Sequence, residues 1–234
     1  MSHQESDLES DLRGKLIVIT GGLGILGHAI TQVANDMGAV VALVDRIEPR
    51  NADRSAALVV SGIDLADPAS AKEAFKQIVD KLGPVHALMN VAGAFAWNKV
   101  VDGGVQAWSE MYSANVLSAV GASIAAIEHM QSGGAIVNVA AAATTRAAAG
   151  MGAYTAAKSG VLRLTESLAD ELKSRGIRVN SVSPTILDTP RNRADMPDAD
   201  PGKWLQPSDL AKTMLFLVSA ESKALTGANL LAGQ

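Results

Sequence analysis

The sequence predicts a single α/β domain in which a parallel sheet of about seven strands carries helices on both faces, a doubly wound fold. Two patterns predict it: short, β-branched apolar runs with almost no polar interruption, and helical stripes that alternate with them along the chain. Strands buried on both faces read as continuous apolar runs, and the helices between them supply the crossovers that parallel pairing requires. With every crossover right-handed, ligands are expected at the carboxyl ends of the strands.

The elements follow in order. Lys15 to Thr20 (KLIVIT) is short, β-branched and followed by glycine, which reads as a buried strand. A helix follows from about Gly24 to Met37, and Gly38 stops it. Val40 to Asp45 and Ala56 to Ile63 are the second and third strands. Asp67 then caps a helix beginning at Pro68, with Ala71, Ala74, Phe75, Ile78, Val79 and Leu82 on one stripe. His86 to Asn90 is the fourth strand, and a long helix runs from roughly Val105 to Met130. Ala135 to Val139 is the fifth strand, Gly152 to Ser174 a helix, and Ile177 to Val182 the sixth strand. The proline- and aspartate-rich stretch 188–207 reads as a mobile substrate loop. A helix over about 208–219 and a strand from Ala228 to Leu231 close a domain spanning 13–234, preceded by an acidic, frayed leader over 1–12.

Composition narrows the function. The 234 residues carry 24 acidic and 20 basic side chains, a net charge of −4, which excludes an electrostatic nucleic-acid binder. The absence of cysteine removes disulfides, thiolate metal sites and thiol nucleophiles together. His3, His28, His86 and His129 show no ligand spacing, so no metal is expected. A polar, acidic start and the lack of an uninterrupted apolar span predict no membrane segment, with the cytoplasm as the default location.

Directly after the first strand comes Thr20-Gly21-Gly22-Leu23-Gly24-Ile25-Leu26-Gly27. Gly22, Gly24 and Gly27 satisfy GxGxxG between a strand and a helix, where backbone N–H groups can approach a pyrophosphate at the positive end of the helix. Asp45 ends the second strand, where a carboxylate accepts hydrogen bonds from both adenosine ribose hydroxyls. A 2′-phosphate would meet that charge, so NAD(H) is favoured over NADP(H), although Arg46 beside it would blunt the preference. Tyr154 and Lys158 lie four apart at the start of a helix and face the same side.

Together, TGGLGILG at 20–27, Asp64-Leu65, Asn90-Val91-Ala92-Gly93, Asn115, Tyr154 with Lys158, and Pro184 to Thr189 (PTILDT) resemble the short-chain dehydrogenase/reductase family from about Arg13 to Gly233. Thr185 stands where the family usually has glycine. The resemblance implies a Rossmann-type domain, an NAD(P)-dependent oxidoreductase and a homodimer or homotetramer acting on a small molecule. It implies Tyr154 as general acid or base, its pKa of about 10 lowered by the Lys158 ammonium and the positive nicotinamide ring. Lys158 would also hold the nicotinamide ribose, and Asn115 a water linking Lys158 to solvent. Asp64 and Leu65 would flank the adenine, Asn90, Ala92 and Gly93 would shape the cleft, and Pro184, Ile186 and Thr189 would meet the carboxamide.

The family normally places a catalytic serine at the end of the fifth strand; here that position is Ala141. Losing one oxyanion donor typically costs ~3–4 kcal/mol in the transition state. Three readings follow. An NADH-dependent reductase of a carbonyl or imine-like substrate would need only the Tyr154 proton. A 3-oxoacyl or ketone reductase, or alcohol dehydrogenase, would recruit Thr144 or Thr145 instead. A dinucleotide-binding sensor would need no donor at all. The first is supported by a local resemblance, over Leu187 to Arg193, Met196 to Asp200 and Trp204, to the dihydropteridine reductase branch, which also lacks the serine. Phe95, Trp97, Met151, Met196 and Trp204 would line an apolar, flat, pterin-like pocket.

Overall fold

The computed structural model describes residues 11–49 and 55–233. Seven strands form one parallel sheet: β1 (Leu16–Thr20), β2 (Val40–Val44), β3 (Leu58–Val60), β4 (Val85–Asn90), β5 (Met130–Val139), β6 (Arg178–Pro184) and β7 (Asn229–Ala232), in the order β3-β2-β1-β4-β5-β6-β7. The helices are α1 (Ile25–Asp36), α2 (Pro68–Leu82), α3 (Val100–Tyr112), α4 (Ser118–Ile127), α5 (Gly152–Glu171), α6 (Pro190–Asp195) and α7 (Pro207–Val218).

The strands' two-residue period divides the core. Leu16 and Val18 of β1 pack with Phe75 and Ile78 of α2, Ala122 of α4 and Leu168 of α5. Ile17 and Ile19 point the other way, to Ile30 of α1 and Leu210 and Met214 of α7. Strand order reverses between β1 and β4, which opens a crevice at their carboxyl ends. Among the described residues no helix is long and apolar enough to cross a membrane.

Four expectations need correction. The long helix read over 105–130 is two helices joined by a π turn at Ser113–Leu117, preceded by a kink at Gly104. It ends early because Met130 pairs with Val85; β5 then bulges and rejoins β4 at Ala135. The third strand shrinks to Leu58–Val60, stopped by Gly62 at φ +73°, and residues 50–54 lie outside the described residues. The segment 188–207 is not a bare loop: it holds α6, a 3-10 turn at Pro201–Lys203 and a bridge between Leu187 and Leu205.

Leu12 does not fit the frayed leader expected over 1–12. Residues 1–10 lie outside the described residues, but Leu12 is fully buried among the α1/α7 residues. Asp11 accepts the Ala220 N–H at 2.7 Å and the Lys15 ammonium at 2.9 Å, so its charge keeps it at the surface while anchoring the turn. Leu12→Ala is expected to cost about 2–4 kcal/mol by leaving a cavity. Chemical denaturation reads this as a lower midpoint at unchanged slope; a midpoint within error of wild type would return residue 12 to the leader.

Candidate active site

The crevice is stitched together by Thr20, which the sequence marks only as the first residue of the glycine motif. Its hydroxyl accepts the N–H groups of Val91 and Ala92, both at 3.1 Å, tying the end of β1 to the loop after β4. Gly21 has φ +63°, and a Cβ there would stand 2.8 Å from the Ala92 backbone. A Cβ at Gly27 would meet the Gly22 carbonyl oxygen at 2.5 Å, so only glycine lets α1 start this close to the turn. Gly24 caps α1 with no side-chain acceptor, which leaves the first-turn N–H groups of Ile25, Leu26 and Gly27 without a capping side chain. Such a bare helix start, reached by a backbone without side chains, fits a pyrophosphate.

Asp45 reaches this turn: one carboxylate oxygen accepts the Leu23 N–H at 3.0 Å and the other the Ile47 N–H at 3.2 Å. A carboxylate has about four acceptor sites, so room remains for ribose hydroxyls. Arg46 beside it is exposed. Asp64 is exposed and bonds the Ala66 N–H, whereas Leu65 lies in the core. Asn90 is likewise a core residue. Its amide donates to Ser123 Oγ at 3.1 Å and Asn138 Oδ1 at 2.8 Å, so it braces β4 against β5 and α4 beneath the cleft.

Gly93, Asn115 and Lys158 converge. A Cβ on Gly93 would lie 2.6 Å from Asn115 Oδ1 and 3.3 Å from Lys158 Nζ. Asn115 sits in the π turn, where its amide donates to the Met111 carbonyl at 2.9 Å and the Ala94 carbonyl at 3.0 Å and accepts the Ala94 N–H at 3.3 Å. The side chain thus ties the π turn to the loop after β4, a link the apolar periodicity of the helix does not reveal.

Lys158 is buried and donates to the Val139 carbonyl at 2.8 Å. Among the described residues no carboxylate accompanies it, and burial pulls its pKa from 10.5 to about 8. Tyr154 stands one turn earlier, with Phe95 edge-on to its ring at 4.9 Å and 85°. Here the expectation of an acidified phenol fails for the protein alone: burial pushes the Tyr154 hydroxyl above 10. Desolvation of the phenolate is the cause of this shift.

Ala141 is buried at the start of a 3-10 turn, Ala142–Thr145. The two candidate substitutes for the missing hydroxyl are occupied: Thr144 donates to the Ala141 carbonyl at 2.9 Å and Thr145 to the Ala142 carbonyl at 3.3 Å. Each closes its own turn. Around Tyr154 the surroundings are apolar. Phe95 and Trp97 are exposed, Trp97 lies against Gly150, and half-buried Met151 caps α5. Pro184 ends β6, Ile186 is exposed, and Thr189 caps α6 by accepting the Asn192 N–H at 3.1 Å, which leaves its own proton to donate. Half-buried Met196 and Trp204 flank α6 and the 3-10 turn beyond it.

A family model described as enoyl-(acyl carrier protein) reductase matches residues 24–233. The 2-(S)-hydroxypropyl-CoM dehydrogenase 3 of Xanthobacter autotrophicus is 31% identical, over 94% of this chain and 96% of its own. A 3-oxoacyl-(acyl-carrier-protein) reductase of Vibrio cholerae is 30% identical over the same shares. A short-chain dehydrogenase from Burkholderia cenocepacia, solved in complex with NADP, superposes with a TM-score of 0.83 at 27% identity, covering 95% of this chain and 98% of that one. Likeness of this extent reaches from inside the phosphate turn to the last strand, and with it the chain belongs to the short-chain dehydrogenase/reductase family of NAD(P)-dependent oxidoreductases.

Proposed function

We propose that this protein is an NAD(H)-dependent reductase of a small carbonyl or imine-like, pterin-like substrate, with Tyr154 as the acid in reduction and the base in oxidation. The observation that carries the reading is Lys158, a buried ammonium that donates to a carbonyl and, among the described residues, is paired with no carboxylate, one helical turn from the half-buried Tyr154 phenol. Burying an unpaired cation is costly, and groups perturbed in this way concentrate at functional sites.

A bound dinucleotide would supply or accept the hydride. The bare start of α1 would hold its pyrophosphate, Asp45 its adenosine ribose, Lys158 its nicotinamide ribose, and Ile186 with Thr189 its carboxamide. Tyr154 holds the proton for the reduced atom. Its raised pKa keeps it protonated at neutral pH, the form that reduction needs. Gly93 and Asn115 fix the space around Lys158 Nζ.

Substrate chemistry follows from the donor count. With Ala141 in place and both candidate threonine hydroxyls engaged, nothing takes over the missing serine's role and Tyr154 is left to serve the reduced atom. An electron-poor imine or quinonoid ring needs only that proton, whereas a simple ketone would forgo oxyanion stabilisation worth roughly 10²–10³ in rate. The apolar wall of Phe95, Trp97 and Met151, with Met196 and Trp204 on the segment 188–207, suits a flat ring. Trp108, Tyr112, Leu117 and Ile124 on α3, the π turn and α4 expose an apolar strip that a second copy would cover, which supports a homodimer or homotetramer.

The test is consumption of NADH and NADPH against quinonoid dihydropterin, quinones, ketones and 3-oxoacyl thioesters. Turnover confined to ketones or 3-oxoacyl thioesters would replace this reading with the threonine-assisted one, and no turnover on any class would favour a sensor. Asp45→Ala is expected to shift the NADH/NADPH preference by about tenfold towards NADPH, since a single carboxylate–phosphate repulsion is relieved. Affinity for both should fall as Leu23 loses its acceptor. An unchanged ratio would move ribose recognition to another residue.

A further inference from the structure

We infer that Asp188 is a positioning residue: its carboxylate clasps the segment from Ile186 to Gln206 into a folded wall, so that Ile186 and Thr189 stand in place before a ligand arrives. The positioning role rests on the proposed function, which makes these two residues the carboxamide contacts; the clasp itself does not.

The segment's two ends meet through little backbone pairing. Leu205 donates to the Ile186 carbonyl and Asp188 to the Leu205 carbonyl, each at 2.9 Å, and this parallel bridge stops there. So short a pairing is marginal by itself. Asp188 adds what the bridge lacks. Arg193 meets it in a fork, Nε to Oδ1 at 2.6 Å and Nη2 to Oδ2 at 2.8 Å, and Gln206 Nε2 donates to Oδ2 at 3.1 Å. One carboxylate thus joins the loop after β6, helix α6 and the residue that caps α7. Helix α7 packs against α1, the phosphate helix, through Leu210, Ala211 and Met214 against Leu26 and Ile30. The clasp therefore connects the nicotinamide end of the crevice to its phosphate end.

An exposed ion pair usually contributes little. This one differs in geometry: the Asp188 side chain is 11% exposed although Arg193 is 58% exposed, and both oxygens are engaged. Bidentate pairs hold orientation as well as charge. Arg193 also keeps the Asp188 carboxyl down at about 2, so the clasp persists at any pH where the enzyme would operate. Asn192 reinforces it by donating to the Leu187 carbonyl at 2.8 Å. A stretch whose composition reads as a mobile loop is held by side chains instead.

The experiment compares Asp188→Asn, Arg193→Gln and the double variant with wild type. Hydrogen exchange at the Leu205 and Asp188 amides is read without ligand, dinucleotide Kd by tryptophan fluorescence, and kcat and KM separately across pH. In either single variant the two amides should exchange about tenfold faster and Kd and KM rise by about tenfold, the scale expected when a folded loop must be ordered on binding. The pH profile of kcat should not move, because Tyr154 and Lys158 are untouched. The double variant should be no worse than Asp188→Asn, since Arg193 acts through that carboxylate. Unmoved exchange in Asp188→Asn, or additive effects in the double variant, overturns the clasp. Faster exchange with unchanged Kd overturns the positioning role. Failure of wild type itself to bind any dinucleotide overturns the proposed function and the positioning role, and exchange still decides the clasp.

Discussion

Tyr154→Phe is expected to lower turnover by roughly 10²–10⁴-fold, the range that a positioned proton donor contributes. Dinucleotide affinity should change little, because phenylalanine keeps the ring and its edge contact with Phe95 and removes only the hydroxyl. The loss should lie near the top of that range. Ala141 offers no second donor, and Thr144 and Thr145 spend their protons on their own turn. Steady-state rates beside fluorescence titration with NADH check both halves. The wild-type profile should also show reduction fading as alkali removes the Tyr154 proton, and oxidation rising over the same range. That direction follows from a phenol which burial holds protonated. A variant turning over as fast as wild type would take Tyr154 out of the mechanism.

The parts of the molecule legible in its sequence are those set by local pattern. Unbroken apolar runs gave the strands to within a few residues, and the glycine motif marked the turn, where a Cβ at Gly22 or Gly27 would stand within 2.7 Å of its neighbours. Asp67 could be read as a cap, and its carboxylate does accept the Ala69 and Ser70 N–H groups. What stayed hidden depends on partners distant in the chain. Asn115 looks like one more polar residue on an apolar helix; only the fold shows that it fills a π turn and binds Ala94. Asn90 reads as a cleft residue by its position in a motif, yet its amide faces Ser123 and Asn138, residues too far along the chain for any local pattern to reveal. Asp188 and Arg193 lie close in sequence, but nothing local says that Gln206 closes the same carboxylate. Leu12 follows an acidic run and reads as part of it, although one apolar side chain at the right place suffices to join a turn to the core.

Lys158→Met should separate the two demands made on one side chain. Methionine keeps most of the volume without the charge, so turnover should collapse and dinucleotide KM rise as the ribose contact and the phenol's cationic neighbour disappear. Stability should move the other way at pH 7. A lysine pulled from 10.5 to about 8 by burial destabilises the folded state by roughly 3 kcal/mol when both folded and unfolded chains carry the proton. Freeing the Val139 carbonyl returns about 1–2 kcal/mol of that, leaving a modest net gain for the variant. The sign of the pH dependence is independent of that balance. Between about pH 8 and 10.5 the unfolded wild type still binds the proton and the folded one does not, so wild-type stability rises with pH and the variant's advantage shrinks. Denaturant midpoints for both proteins over pH 7–10.5 would show the two curves converging. Curves that stay parallel would mean that Lys158 Nζ is well solvated, and the buried, unpaired ammonium on which the assignment of Tyr154 rests would be lost with it.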